Sequence, residues 1–291
     1  MKIKIANIAH YLPSRIVNNV EISGRYPQAG TPEEIFRKTG IKERRYSDEL
    51  TTVDMATKAV EVLLAKTGIL PTEIDLVIVG TLSPDFFSHS CAEMVIKNIG
   101  AAKAFGYDIV AACPSFLFGI NVAIPQMEAR GIKRAVVIGA DGMSRTINAF
   151  DYKTGILFGD AAAALLLEQC DEQEMGINGG LCKVKADNID DVYFKTPFNS
   201  ADYSKEKFEI EGSKVYKHGV TLTCEVIREY LKTKDLELSD FKYIIPHQAN
   251  MRMITEIASI LKIPVEMFLM NIETVGNTAG ASVPLCLSQK L

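Results

Sequence analysis

One stretch of the chain repeats itself, and that repeat limits the folds open to it. Leu64-x4-Ile69-x4-Ile74-Asp75-Leu76-Val77-Ile78-Val79 lies without a gap on Leu231-x4-Leu236-x4-Phe241-Lys242-Tyr243-Ile244-Ile245-Pro246. Apolar residues at helical spacing over 52–66 predict a helix, and the run 74–79 predicts a buried strand. In the second copy, 212–232 predicts a helix and 241–246 a short strand. Gly80 and His247 then occupy equivalent strand ends. Each is followed by a helix, a strand and a loop, which carries Cys113 in one half and Asn277 in the other. Two facing copies of one βα unit make an α/β protein, and two copies are too few for a solenoid. The halves are read as 1–170 and 171–291. The first continues past Cys113 with strands at 134–140 and 162–167. The second stops at Leu291 inside the helix after Asn277, so its last two strands are expected to be missing.

Bulk properties narrow the function. A net charge of −4 gives no bulk electrostatic case for nucleic acid. No apolar run approaches the roughly 18 residues of a membrane span, and Met1-Lys2-Ile3-Lys4-Ile5 alternates like a strand rather than a signal peptide. Cysteines 91, 113, 170, 182, 224 and 286 are scattered, with no C-x-x-C pair. That pattern predicts reduced thiols in the cytoplasm and neither a disulfide framework nor a zinc site. Four histidines leave little material for metals.

Three residues stand out. Cys113 follows the apolar strand Asp108-Ile109-Val110-Ala111-Ala112, and Pro114 is suited to begin a helix to about Glu128. A thiol at that junction faces unpaired N–H groups. Ionising a thiol of pKa about 8.5 at pH 7 costs about 2 kcal/mol, which a helix terminus offsets by up to roughly 2 kcal/mol. The expectation is an activated nucleophile. The other five cysteines read as small buried hydrophobes. His247 ends a strand, where α/β proteins build sites; His10, His89 and His218 have no such support. Asn277, in Val275-Gly276-Asn277-Thr278-Ala279-Gly280, suits a turn or cap, but the repeat brings its loop to face that of Cys113.

At these residues the chain resembles the beta-ketoacyl-acyl-carrier-protein synthase III family. The motifs are Thr39-Gly40-Ile41-Lys42-Glu43-Arg44, Ala111-Ala112-Cys113, Ile138-Gly139-Ala140-Asp141, Phe158-Gly159-Asp160, His247-Gln248-Ala249-Asn250 and Gly276-Asn277-Thr278. The resemblance implies a thiolase-like fold of layered α/β/α/β/α halves, a homodimer and a Cys113–His247–Asn277 triad. It also implies decarboxylative condensation of an acyl thioester with malonyl-ACP through acyl-Cys113, with acyl carrier protein as partner and no metal or redox cofactor. Two readings compete with it: acyl transfer to an alcohol, amine or water by the same Cys and His, and a non-catalytic partner subunit of a heterodimer.

The chain departs from the family pattern in places. The positions of a Trp and an Arg that sandwich the coenzyme A adenine hold Glu34 and Tyr152. Tyr152 can stack and Glu34 cannot, which turns the expectation toward an acyl-carrier-protein donor. Ser88, just after Phe86 and Phe87, aligns with a bulky residue that caps the partner subunit's acyl pocket, which predicts room for a longer chain. Arg252 and Lys217 are the expected carrier contacts, while Ser259-Ile260 replaces a basic pair. The family's C-terminal glycine-rich segment is not found before Leu291.

Overall fold

The computed structural model describes residues 2–147, 151–171, 176–194 and 208–290. Met1 and Leu291, which bound the expected first strand and last helix, lie outside them. In chain order the strands are β1 Lys2–Tyr11, β2 Arg15–Asn18, β3 Glu43–Tyr46, β4 Leu76–Gly80, β5 Phe105–Ile109, β6 Arg134–Asp141, β7 Ala161–Cys170, β8 Val192–Tyr193 and β9 Glu209–Ile210. The helices are α1 Asn19–Arg25, α2 Pro32–Thr39, α3 Thr52–Thr67, α4 Cys91–Ile99, α5 Ser115–Arg130, α6 Tyr152–Gly155, α7 Gly212–Lys234, α8 Met251–Leu261, α9 Ile272–Val275 and α10 Ser282–Lys290.

Five strands form the central sheet in the order β1-β7-β6-β4-β5. β4 pairs in parallel with β5 and β6, while β7 runs antiparallel to β6 and β1. Alternation along each strand assigns the two faces. Val77 and Val79, with Val136, Ile138, Ala162 and Ala164, pack on the side of α3 and α4. Leu76 and Ile78, with Ala135, Val137, Leu165 and Leu167, pack under α5 and Leu287 of α10. A strand buried on both faces needs apolar residues throughout, which is why β4 and β6 read as unbroken hydrophobic runs.

Helix ends follow from local chemistry. α2, α3 and α4 each begin in a capping box, Thr31–Glu34, Thr51–Asp54 and Ser90–Glu93, and end at a left-handed glycine, Gly40, Gly68 and Gly100.

The second half departs from expectation. The predicted strand at 241–246 is reduced to one parallel bridge, Ile244 with Phe268. Two hydrogen bonds make it, Ile244 N–H to Met267 O at 2.8 Å and Leu269 N–H to Ile244 O at 2.9 Å. In the first half β4 is flanked on both sides, by β5 and β6; the described residues offer 244 a neighbour on one side only. Tyr243 is accordingly exposed rather than buried. A separate cluster of Val220, Cys224, Ile254, Ile257, Ala258 and Phe268 holds α7 against α8. Cys182 also corrects its assignment as a buried hydrophobe. It is exposed, because its irregular segment runs over the surface, whereas Cys91, Cys170, Cys224 and Cys286 are buried.

Candidate active site

Cys113 stands at a sharp turn from β5 into α5. Ala112 just before it has φ of +52°, a left-handed conformation that costs a non-glycine residue about 1 kcal/mol or more. Ser115 N–H closes the turn on Ala112 O at 3.1 Å, and Pro114 sits at the cap, one residue ahead of the helix it was expected to begin. The first turn of α5 lies directly on the end of β4. A Cβ on Gly80 would fall 2.7 Å from Phe116 N, so only glycine permits this approach.

The Cys113 side chain is half-buried against the apolar cluster that contains Met143, Phe158 and Ala279. Burial, followed by the negative charge of Asp141, pushes its thiol up to about 12; its own backbone N–H pulls the other way. Burial and the charge of Asp141 thus oppose the activation expected from the helix terminus.

His247 follows the Ile244 bridge. Its Nδ1 is fully buried without a hydrogen-bond partner among the described residues, and burial draws its pKa down to about 4. The imidazole is neutral at pH 7. The next residue anchors it: Gln248 N–H donates to Ser282 Oγ at 2.7 Å, Gln248 Nε2 to Pro246 O at 2.8 Å, and Gln248 Oε1 accepts from Asn271 N at 3.2 Å. Asn250 caps α8 through Arg252 N–H at 2.8 Å. Gln248 and Asn250 thus have structural work in a motif that sequence reasoning quoted only as a signature.

Asn277 is 4% exposed and threaded into the backbone of the Phe158 loop. Its N–H donates to Leu157 O and its C=O accepts from Gly159 N–H, both at 2.9 Å. A Cβ on Gly159 would meet Val275 O at 2.3 Å, which accounts for the glycine of the Phe-Gly-Asp motif. The carboxamide has a defined orientation, because Asn277 Oδ1 accepts Ala279 N–H at 3.0 Å and only oxygen can accept. Nδ2 is thereby left as the donor facing away from that turn.

Glycines and one carboxylate join these loops. Gly280 lies against α5, where a Cβ would come within 2.8 Å of Ser115 Oγ, and Gly139 leaves room for Gly280 O, which a Cβ there would meet at 2.3 Å. Asp141, fully buried at the end of β6, accepts Gly280 N–H on Oδ2 at 2.7 Å. Its Oδ1 accepts Leu82 N–H at 2.7 Å, Thr81 Oγ1 at 2.9 Å, Ser83 Oγ at 3.0 Å and Ser83 N–H at 3.1 Å. Burial lifts its pKa to about 6 against the pull of those donors. The Cys113 and Asn277 loops therefore meet through Ser115 and Gly280, and the His247 loop is tied to the same region through Ser282. In the sequence Asp141 stood only as the last residue of the motif Ile138-Gly139-Ala140-Asp141, with no role assigned to it.

Comparison with known proteins identifies the architecture. The chain is 38% identical to the beta-ketoacyl-[acyl-carrier-protein] synthase III of Clostridium beijerinckii over 292 residues, covering 99% of this chain and 90% of the relative. With the homologous enzyme of Lactococcus lactis subsp. cremoris it shares 34%, covering 99% and 89%. The chain belongs to the beta-ketoacyl-[acyl-carrier-protein] synthase III family. Residues 107–183 match the family description 3-oxoacyl-[acyl-carrier-protein (ACP)] synthase III, and 231–291 match its C-terminal part. The crystal structure of 3-oxoacyl-(acyl carrier protein) synthase III from Pseudomonas aeruginosa PAO1 superposes with a TM-score of 0.91 at 28% identity, covering 99% of this chain and 89% of that one. The priming beta-ketosynthase of the R1128 polyketide pathway gives 0.92 at 27%, covering 99% and 87%. The fold is the thiolase-like fold of this family.

The remaining synthase III signature positions are dispersed. Tyr152, the first residue of α6, packs on the same apolar cluster as Cys113. Glu34 has a local reason to be glutamate, since its carboxylate accepts Thr31 N–H at 2.9 Å to close the box that starts α2. Phe87 and Ser88 lie exposed on the loop between β4 and α4, outside the cluster around Cys113. Arg252 and Lys217 are exposed on neighbouring helices, where Tyr216 O–H donates to Arg252 O at 3.2 Å. Among the described residues no three His, Cys, Asp or Glu side chains are grouped to hold a metal ion, and no helix is long and apolar enough to cross a membrane.

Proposed function

We infer that the protein condenses an acyl thioester with malonyl-ACP by decarboxylative Claisen chemistry, with Cys113 as nucleophile and His247 and Asn277 as donors to the enolate. The observation that carries this reading is the joining of the Cys113, Asn277 and His247 loops through Ser115–Gly280 and Gln248–Ser282 in a chain of the synthase III family. Family membership also weighs against transfer to water and against a non-catalytic subunit.

The steps follow from the groups present. The Cys113 sulfur attacks the donor thioester carbonyl; the carbon–sulfur bond to the donor breaks, and the proton given up by Cys113 goes to the departing thiolate, which leaves as a free thiol. Malonyl thioester then loses carbon dioxide, and the electrons of the broken carbon–carbon bond become an enolate. Nδ2–H of Asn277 and an N–H of neutral His247 stabilise the enolate oxygen. An imidazole whose pKa has fallen to about 4 donates a hydrogen bond at pH 7 without supplying a spare proton to quench the carbanion. The enolate carbon attacks acyl-Cys113, the new carbon–carbon bond forms, and Cys113 leaves as thiolate. Thioester chemistry carries every bond change, so the reaction is drawn without a metal or redox cofactor.

Two surfaces belong to the same reading. Arg252 and Lys217 offer positive charge to an acidic acyl carrier protein. A second copy of the chain would cover the β5 edge, where unpaired backbone groups adjoin Val110, 78% exposed, and exposed Phe105. Six free cysteines suit a reducing cytoplasm.

Intact-mass measurement after mixing with acyl thioesters on coenzyme A and on carrier protein tests the proposal. One acyl group on Cys113, followed by release of labelled carbon dioxide when malonyl-ACP is added, is expected. Free acid produced with malonyl-ACP untouched would overturn the assignment.

A further inference from the structure

Asp141 is a buried carboxylate that the condensation scheme does not use. Among the described residues no cation pairs with it. Its bonding pattern is instead that of an ionised acceptor, because three of its five donors are backbone N–H groups, of Leu82, Ser83 and Gly280, which cannot reverse direction. The two oxygens serve different segments. Oδ1 takes the turn after β4, and Oδ2 takes Gly280 alone.

Gly280 follows a strained residue. Ala279 has φ of +46°, a left-handed conformation that persists in a non-glycine residue only when its surroundings hold it there. Ala279 N–H is also the donor that orients the Asn277 carboxamide. A short path therefore runs from Asp141 Oδ2 to Gly280 N–H, across the strained Ala279, to Asn277 Oδ1. Cys113 is approached differently: Ser115 N–H closes its turn on Ala112 O, and that turn meets Gly280 by packing at Ser115 Oγ. The negative charge of Asp141 opposes ionisation of the thiol, so that charge does nothing to favour acylation.

We propose that Asp141 is a positioning residue for the condensation half-reaction, holding Asn277 Nδ2 toward the enolate through Gly280 and Ala279. The inference rests on the reading of Asn277 as enolate donor. It predicts that Asp141→Asn separates the two half-reactions. An amide has one acceptor oxygen, so serving Leu82 and Ser83 turns its NH2 against Gly280 N–H and lets the Ala279 turn relax.

The experiment compares wild type, Asn277→Ala, Asp141→Asn and Asp141→Asn/Ala279→Gly. Acylation of Cys113 is followed by rapid-quench mass spectrometry, and labelled carbon dioxide release from malonyl-ACP by counting. Expected for Asp141→Asn is acylation no more than about threefold slower than wild type, with any gain due to the lost charge beside the thiol, and carbon dioxide release at least tenfold slower. Glycine at 279, which removes the Cβ penalty of positive φ, should recover part of that loss. Equal losses in both half-reactions, or no loss in either, overturn the inference. Normal carbon dioxide release by Asn277→Ala overturns the Asn277 assignment together with this inference. A slow Asn277→Ala beside a normal Asp141→Asn overturns the inference alone. If Asp141→Asn does not fold, hydrogen exchange on the wild type decides. Gly280 N–H should be protected like the amides of β6, and exchange at the rate of surface-loop amides overturns the proposal.

Discussion

Gln248 donates its backbone N–H to Ser282 Oγ over 2.7 Å, with both residues buried. The residue after His247 and the first residue of the helix after Asn277 are thereby one mechanical unit. Ser282→Ala leaves that buried N–H without its acceptor, at a cost of about 1–3 kcal/mol. Urea unfolding should show this loss. Carbon dioxide release should slow more than acylation, because the broken bond serves the two donors rather than the thiol.

Cys113 carries a pH prediction. Its thiol is pushed up to about 12 by burial and by Asp141, so the ionised fraction grows tenfold with each pH unit well past neutrality. The rate of acyl-enzyme formation should rise log-linearly from pH 7 to 9.5 without levelling. A plateau near pH 7 would instead reveal a thiolate already formed in the resting enzyme.

His247 and Asp141 make opposite contributions to acid stability. The folded His247 pKa, about 4, lies below its ordinary 6.5. As pH falls from 6.5 toward 4 the unfolded chain takes up a proton that the folded chain refuses, and stability drops by roughly 3 kcal/mol. The folded Asp141 pKa, about 6, lies above its ordinary 3.8. Between pH 6 and 4 the folded chain keeps a proton that the unfolded chain has released, and stability rises by a similar amount, about 3 kcal/mol. Wild type should therefore show little net slope from these two groups. Moving from pH 7 to 5, His247→Gln should gain about 2 kcal/mol relative to wild type and Asp141→Asn should lose about 1 kcal/mol. Urea titrations at both pH values measure this; parallel pH dependence in all three proteins contradicts it.

Arg252 is exposed beside Lys217, with no role in the core. Arg252→Glu should raise KM for malonyl-ACP about tenfold, and added salt should shrink the effect by screening. With malonyl-coenzyme A, and in kcat for either substrate, the variant should match wild type. Steady-state kinetics on the two carriers separates docking from chemistry.

Val110 extends the exposed end of β5. Val110→Asp places a charge where a second copy is expected to pair. Analytical ultracentrifugation should show wild type forming the proposed dimer and the variant's dissociation constant at least tenfold higher, with the fold judged intact by circular dichroism. An unchanged dimer removes the β5 edge from consideration.

How legible the site was depended on sequence distance. The strand–Cys113–helix junction is a local pattern and could be read from neighbours a few positions apart. The function of Asp141 could not, because its partners lie about 60 and 139 positions away. The helix terminus behind Cys113 was visible, whereas the burial that opposes it comes from Phe158 and Ala279, which are distant in sequence. The expected strand at 241–246 failed for a related reason. Its apolar pattern was real, but a ladder requires neighbours, and strand propensity alone does not supply them.

Ser288 Oγ meets His10 Nδ1 at 2.7 Å, joining α10 to β1 across 278 positions of chain. On one face of the central sheet α5 covers the β4 and β6 part, but the part over β1 and β7 waits for α10, near residue 288, to be made. Nascent chains would carry that β1–β7 strip bare through most of synthesis, so the newborn protein has greater need of chaperones than its finished form.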